Sequence, residues 1–215
     1  MQIRYYLSWF DDKLPEKLVT CLKEDLSERQ SLVMISGQPS SENDPIPTFI
    51  KEKWLATAGI TFEEYHLLDY RMDKEIAHDL LKKASVIFLC GGYPLLQKQF
   101  LISYELNDVI KNSEGLVMGA SAGGINMSRA WLCSRNTGMD VESSQIYPGI
   151  ALDAFFFCSK PQLTMNDTAM LEELLPLSQE LPIYVASNEA ALRIKKDKVT
   201  TFGEIHLMCE GQIKN

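Results

Sequence analysis

Positive charge is in short supply in this chain: 21 lysines and arginines stand against 29 aspartates and glutamates, a net charge of −8. That balance leaves no basic patch of the kind a nucleic-acid or anionic-membrane partner requires. Histidine is scarcer still, with three in 215 residues: His66, His78 and His206. The five cysteines (Cys21, Cys90, Cys133, Cys158, Cys209) form no C-x-x-C pair, and an odd, dispersed set points to reduced thiols in a cytoplasmic protein. No run approaches the ~18 apolar residues needed to span a bilayer. The first residues lack the basic-then-apolar order of a signal peptide. H-E-x-x-H and similar ligand spacings are missing, so no metal is expected. No G-x-G-x-x-G follows the first strand, so no dinucleotide or other cofactor is expected.

What is present is an alternation of short apolar runs with longer amphipathic segments. Strands are expected at 3–9, 31–36, 61–68, 85–90 and from 116, with helices at 15–26, 48–58, 74–83 and 95–110. The order βαβαβαβαβ implies a mostly parallel, doubly wound α/β sheet with helices on both faces. After residue 121 the pattern changes. A short helix runs to about residue 128, residues 131–151 read as irregular, 153–158 as a strand and 167–175 as a helix. Short strands at 183–186, 190–194, 199–202 and 205–209 suggest antiparallel hairpins closing one side of the sheet. There is no repeat, low-complexity stretch or linker, so residues 1–215 read as one domain.

The richest stretch is Gly119-Ala120-Ser121-Ala122-Gly123, of the form G-x-S-x-G, placed directly between an apolar strand and a helix. In this pattern a sharp turn lifts the serine hydroxyl above the sheet edge. Glycines flank it because a side chain there would collide with the adjoining strand or helix. Free N–H groups at the helix start suit a developing oxyanion. A second loop, Gly91-Gly92-Tyr93-Pro94, follows the fourth strand. If the fourth and fifth strands are neighbours, Gly92 and Ala122 offer two backbone donors for an oxyanion hole. Cys90, beside Gly91, reads as a buried strand-end thiol rather than a second nucleophile.

These two loops, in FLCGGYPLLQKQFL (88–101) and GLVMGASAGGINMS (115–128), resemble the S51 family of serine peptidases. IYVASNEAALRI (183–194) and EIHLMCEGQI (204–213) match it more weakly. The resemblance implies a flavodoxin-like fold akin to a class I glutamine-amidotransferase domain, with Ser121 as nucleophile and Gly92 and Ala122 as oxyanion donors. The family also uses a histidine at the end of a later apolar strand. Here that region holds none: alignment on Pro161 and Thr164 puts Gln162 at the position, and a one-gap shift puts Lys160 there. Glutamine cannot take a proton from serine, whereas a lysine with a lowered pKa can. For the family's acidic group the resemblance offers Glu189, in Ser187-Asn188-Glu189-Ala190, with Asp140 as a second candidate. The arginines that the family uses for an aspartyl substrate have no counterpart in 161–175.

Two functions follow. One is a serine hydrolase of a short peptide or other small amide. The other is a catalytically impaired relative that binds a small ligand or partner protein. An amidotransferase-like activity rests on fold analogy alone and lacks its usual cysteine at position 121. Oligomeric state is not written in the sequence, a homodimer being the commonest assembly.

Overall fold

A computed structural model describes residues 2–137, 141–159 and 168–214. Its first half follows the expected alternation: β1 (Arg4–Leu7), α1 (Glu16–Asp25), β2 (Ser31–Gly37), α2 (Ile46–Phe49), β3 (Glu64–Leu68), α3 (Lys74–Lys83), β4 (Val86–Gly92), α4 (Pro94–Ser103), α5 (Leu106–Lys111), β5 (Leu116–Ala120) and α6 (Ala122–Met127). Three of these differ from expectation. The helix expected over 48–58 starts at Ile46 and continues beyond Phe49 as a wider π-helical stretch, Ile50–Ala56, which buries Ile50, Trp54 and Leu55. The helix expected over 95–110 is broken in two, because Glu105 takes a left-handed conformation (φ 54°) between α4 and α5. The strand expected over 61–68 is paired only from Glu64.

The main sheet runs β3-β2-β4-β5-β1-β10-β11, where β10 is Ala191–Lys195 and β11 is Lys198–Phe202. The strands from β3 to β1 are parallel, and β10 joins β1 antiparallel, with Tyr5 opposite Arg193. Alternate residues of each strand enter different cores, as a pleated sheet covered on both faces requires. Leu32 and Met34 of β2 pack with Leu18, Leu22 and Trp54 on one side. Val33 and Ile35 pack with Leu81, Phe100 and Ile125 on the other. From β2 the chain passes outward to β3, then returns beyond β2 to form β4. The β2–β4 boundary is therefore the topological switch point, where open α/β sheets collect ligands at the carboxyl ends of their strands.

The C-terminal strands are not one set of hairpins closing that sheet. Only β10–β11 extends it. The rest form a second sheet, β13-β12-β9-β8-β6-β7, built from β6 (Ala130–Cys133), β7 (Gln145–Pro148), β8 (Phe156–Ser159), β9 (Ile183–Ala186), β12 (Ile205–Cys209) and β13 (Gln212–Lys214). The segment expected to be irregular thus contains the hairpin β6–β7, and α7 (Thr168–Leu177) follows β8. This second sheet lies against α6, so close that a Cβ on Gly124 would sit 2.9 Å from the Phe157 ring. The segment before β8 is tied to the main sheet by a largely buried ion pair. Arg4 of β1 donates twice to Asp153 (2.8 and 2.7 Å), which also accepts from the Tyr6 hydroxyl (2.7 Å).

On the opposite face of β1, the Asp25 carboxylate is fully buried. It accepts hydrogen bonds from Arg193, Lys195 and Tyr5 at 2.6–2.7 Å. Burial alone would raise its pKa, but these donors outweigh burial and hold it at about 2.

Candidate active site

The backbone turns sharply at Ser121. Its N–H donates to the Leu7 carbonyl (2.8 Å), the last ladder bond between β5 and β1, while its own carbonyl accepts from Ile125 (2.9 Å), the first bond of α6. One residue serves as both strand end and helix start. The cost is a conformation of φ 47°, ψ −110°, which L-residues rarely adopt. The flanking glycines make the bend feasible. A Cβ on Gly119 would lie 2.4 Å from the Met127 sulfur and 2.6 Å from the backbone of Gly123. One on Gly123 would lie 2.0 Å from the Leu89 carbonyl oxygen. Ser121 itself is partly exposed, whereas Ala122 to Met127 are all buried.

Strands β4 and β5 are neighbours, with Leu89 opposite Gly119. Gly91 and Ser121, each two residues further on, therefore reach the same sheet edge. The diglycine is pressed against β2. A Cβ on Gly37 would lie 2.0 Å from the Gly91 oxygen, and Gly92 holds φ 137°. Tyr93 N–H donates across to the Gly37 carbonyl (3.1 Å). Glu189 stands at this same edge, one strand beyond β1. Its N–H donates to the Trp9 carbonyl (2.8 Å), its φ is 57°, and its side chain is exposed. Loops after β2, β4, β5 and β1, and the turn before β10, thus line up along one side of the main sheet.

Two buried amides that the sequence reading missed lock this edge together. Gln97, with no exposure, donates to the carbonyls of Cys90 (3.0 Å), Ile35 (3.3 Å) and Ser36 (3.4 Å). Asn126 donates to Gln97 (3.1 Å) and to the Pro94 carbonyl (3.0 Å). The network joins the ends of β2 and β4 to the start of α4 and to α6. Its signal in the sequence is an amide side chain among apolar neighbours in each helix.

The remaining sequence candidates separate cleanly. Cys90 is fully buried, and burial pushes its thiol well above the usual range, so it is no second nucleophile. His66 lies on edge strand β3 and pairs with Glu64 (3.1 Å). His78 contacts the Tyr104 carbonyl (2.6 Å), and His206 of β12 pairs with Glu204 (3.1 Å). None of these contacts involves Ser121. Asp140, Lys160 and Gln162 lie outside the described residues. Among those described, no cluster of three or more histidine, cysteine or acidic side chains could hold a metal ion. Nor is any helix long and apolar enough to cross a membrane. A cleft of about 580 Å³ lies at the opposite, amino ends of the strands, near Asp25, Lys83 and Gly115, away from Ser121.

A strained serine stands between a parallel strand and a buried helix, beside a diglycine on the neighbouring strand, in a chain whose family match makes it a peptidase-type hydrolase. The chain belongs to peptidase family S51, whose sequence model matches residues 42–202. Solved structures agree on the fold. A "Putative Peptidase E Protein" from Listeria monocytogenes EGD-e superposes with a TM-score of 0.66 at 21% identity, over 95% of this chain and 99% of that one. A peptidase from an acI-B1 actinobacterium superposes with a TM-score of 0.69 at 18% identity, over 100% and 93%. No curated protein matches the sequence.

Proposed function

We propose that the protein is a serine-type hydrolase that cleaves a short peptide or another small amide, with Ser121 as nucleophile. The observation that carries this reading is the Ser121 backbone: a residue held at φ 47°, ψ −110° between a strand and a helix, and still partly exposed. Such strain persists only where the surrounding packing imposes it, and a strand–turn–helix bend of this kind is what presents a nucleophilic serine in G-x-S-x-G hydrolases.

The reaction would run as acyl transfer. Ser121 Oγ attacks the scissile carbonyl while the oxygen that gains charge lies against the N–H groups of Ala122 and Gly92; the C–N bond then breaks as the serine's proton passes by way of the base to the leaving amine, and water hydrolyses the acyl-enzyme. The diglycine and Ser121 reaching one sheet edge on neighbouring strands, and the place of Ala122 in the first turn of α6, where no preceding turn engages its N–H, support this pairing. Serine is a weak nucleophile until a base takes its proton. All three histidines are engaged elsewhere, and Gln162 is non-basic, so Lys160 is the proposed base. It directly follows β8, which packs on α6. Glu189, on the same sheet edge, is the proposed acidic partner. The engagement of the histidines elsewhere is also what favours the second reading, an S51 relative that binds a ligand without cleaving it.

A fluorophosphonate probe decides between them. The hydrolase reading expects labelling of the wild-type protein that disappears in Ser121→Ala. Absence of labelling across roughly pH 6–10 would overturn it.

A further inference from the structure

The indole of Trp9 lies at the Ser121 bend. Trp9 follows β1, yet its six-membered ring reaches β4: a Cβ on Gly91 would sit 3.1 Å from Cζ3 and 3.5 Å from Cε3. The same point is 3.6 Å from the Ala120 carbonyl oxygen. Because β5 stands between β1 and β4, the ring spans the end of β5, where the chain turns. Gly91 carries no side chain to crowd it. The next residues along the two strands are Gly92 and Ser121.

The ring is held in place. It stacks on Phe49, with centroids 5.4 Å and planes 20° apart, and tilts against Trp54 at 4.9 Å. Trp54 is fully buried and anchored by its Nε1, which donates to the Phe10 carbonyl (2.9 Å). Trp9 and Phe49 remain partly exposed. A fixed aromatic surface left open beside a strained serine is a wall for something that binds there. Tyr93, directly after Gly92, adds the most exposed large apolar side chain among the described residues, at 59%.

Trp9 packs with the core on the face of the main sheet opposite α6. That face decides which part of a substrate it meets. The serine's proton passes by way of the base to the leaving amine. The proposed base follows β8, on the α6 side, so the amine departs toward α6 and the acyl portion lies toward Trp9. An indole offers apolar area and one N–H donor, with no acceptor and no cation. A bulky apolar or aromatic side chain gains by burial against it. A carboxylate there loses water without gaining a partner. It also meets the like charge of Glu189, whose backbone is bonded to that of Trp9.

We propose that Trp9, backed by Phe49, is the specificity-determining wall for the acyl-side residue of the substrate, and that this residue carries an aromatic or other bulky apolar side chain rather than an acidic one. The acyl-side placement rests on the hydrolase reading; the preference of the wall for an apolar group does not.

The test uses the full-length protein and two dipeptides, phenylalanyl-alanine and aspartyl-alanine. In ¹⁵N-labelled Ser121→Ala, which leaves both intact, the Trp9 indole resonance is identified by its loss on adding Trp9→Phe. Phenylalanyl-alanine is expected to shift it saturably, and aspartyl-alanine at equal concentration to leave it in place. The wild-type protein is expected to cleave phenylalanyl-alanine with a kcat/KM about ten-fold higher. Trp9→Leu should bring that ratio near one, chiefly through KM, and Trp9→Phe should keep most of it. A resonance indifferent to phenylalanyl-alanine, or moved equally by both dipeptides, overturns the proposal. So do equal wild-type rates, and so does a Trp9→Leu protein that loses both activities in equal proportion, the signature of a purely structural role. Serine labelling without the resonance shift would end the wall alone. The resonance shift without serine labelling would end the hydrolase reading, and with it the acyl-side placement.

Discussion

Gly123 and Leu89 are in backbone contact: a single added carbon on the glycine would sit 2.0 Å from the leucine carbonyl oxygen. Helix α6 is thereby seated directly on β4, and this seating sets the height of Ser121 relative to the diglycine. Gly123→Ala must push the helix away from the strand. The expected result is a loss of about 3 kcal/mol in stability, the upper part of the range for overpacking a core. Denaturant unfolding measures it, and serine labelling of the remaining folded protein should slow in parallel. Unchanged stability would show that the contact is more yielding than its geometry implies.

The strained serine should be replaceable at a gain. Glycine adopts positive φ without steric cost, so Ser121→Gly is expected to be more stable than wild type by about 1 kcal/mol while losing all labelling. A destabilised Ser121→Gly would mean that the hydroxyl supports the fold rather than the chemistry.

Asp25 gives the fold an acid limit. Its carboxyl is held at about 2 in the folded protein, against about 3.9 for an unfolded chain. A depressed pKa stabilises the fold above the unfolded value, and that stabilisation is lost as pH falls through about 4 toward 2. Unfolding midpoints followed over this window should drop more steeply for wild type than for Asp25→Asn. The variant should also be less stable at neutral pH, because Arg193 and Lys195 lose their buried counter-charge. Parallel pH profiles would remove Asp25 as the source.

Lys160→Met tests the proposed base. Ser121-dependent hydrolysis should fall at least ~100-fold, the scale of general-base removal. Equal rates would eliminate Lys160 from that role.

Strands β2, β4 and β5 were readable from sequence because each is buried on both faces and so appears as an apolar run, as in SVIFLC before the diglycine. The bend at Ser121 was readable because only small residues fit around it. Glu105 was not, since neither glycine nor proline marks its left-handed turn. The β6–β7 hairpin was hidden because β7 is mostly exposed and carries no apolar alternation. The division of the late strands between two sheets was also invisible. Strands β9 and β10 are separated only by 187–190, and their apolar patterns are alike; the partner of each depends on β1 and β8, far away in the chain. At the site, the nucleophile and its glycines stood out as a contiguous motif. Gln97 and Asn126 did not, because their meaning lies in which carbonyls they reach.

The position of β1 bears on how the chain becomes a protein. It is made before either partner, yet it lies inside the main sheet, with Arg4 opposite Val117 on one side and Ile194 on the other. Its partners emerge on the order of one hundred and two hundred residues later, and contacts so distant in sequence make for slow folding. Until β10 arrives, a strand whose four residues are all buried in the finished molecule waits exposed at the ribosome, so this chain should depend on chaperone protection during synthesis more than a protein whose interior strands find their partners nearby in sequence.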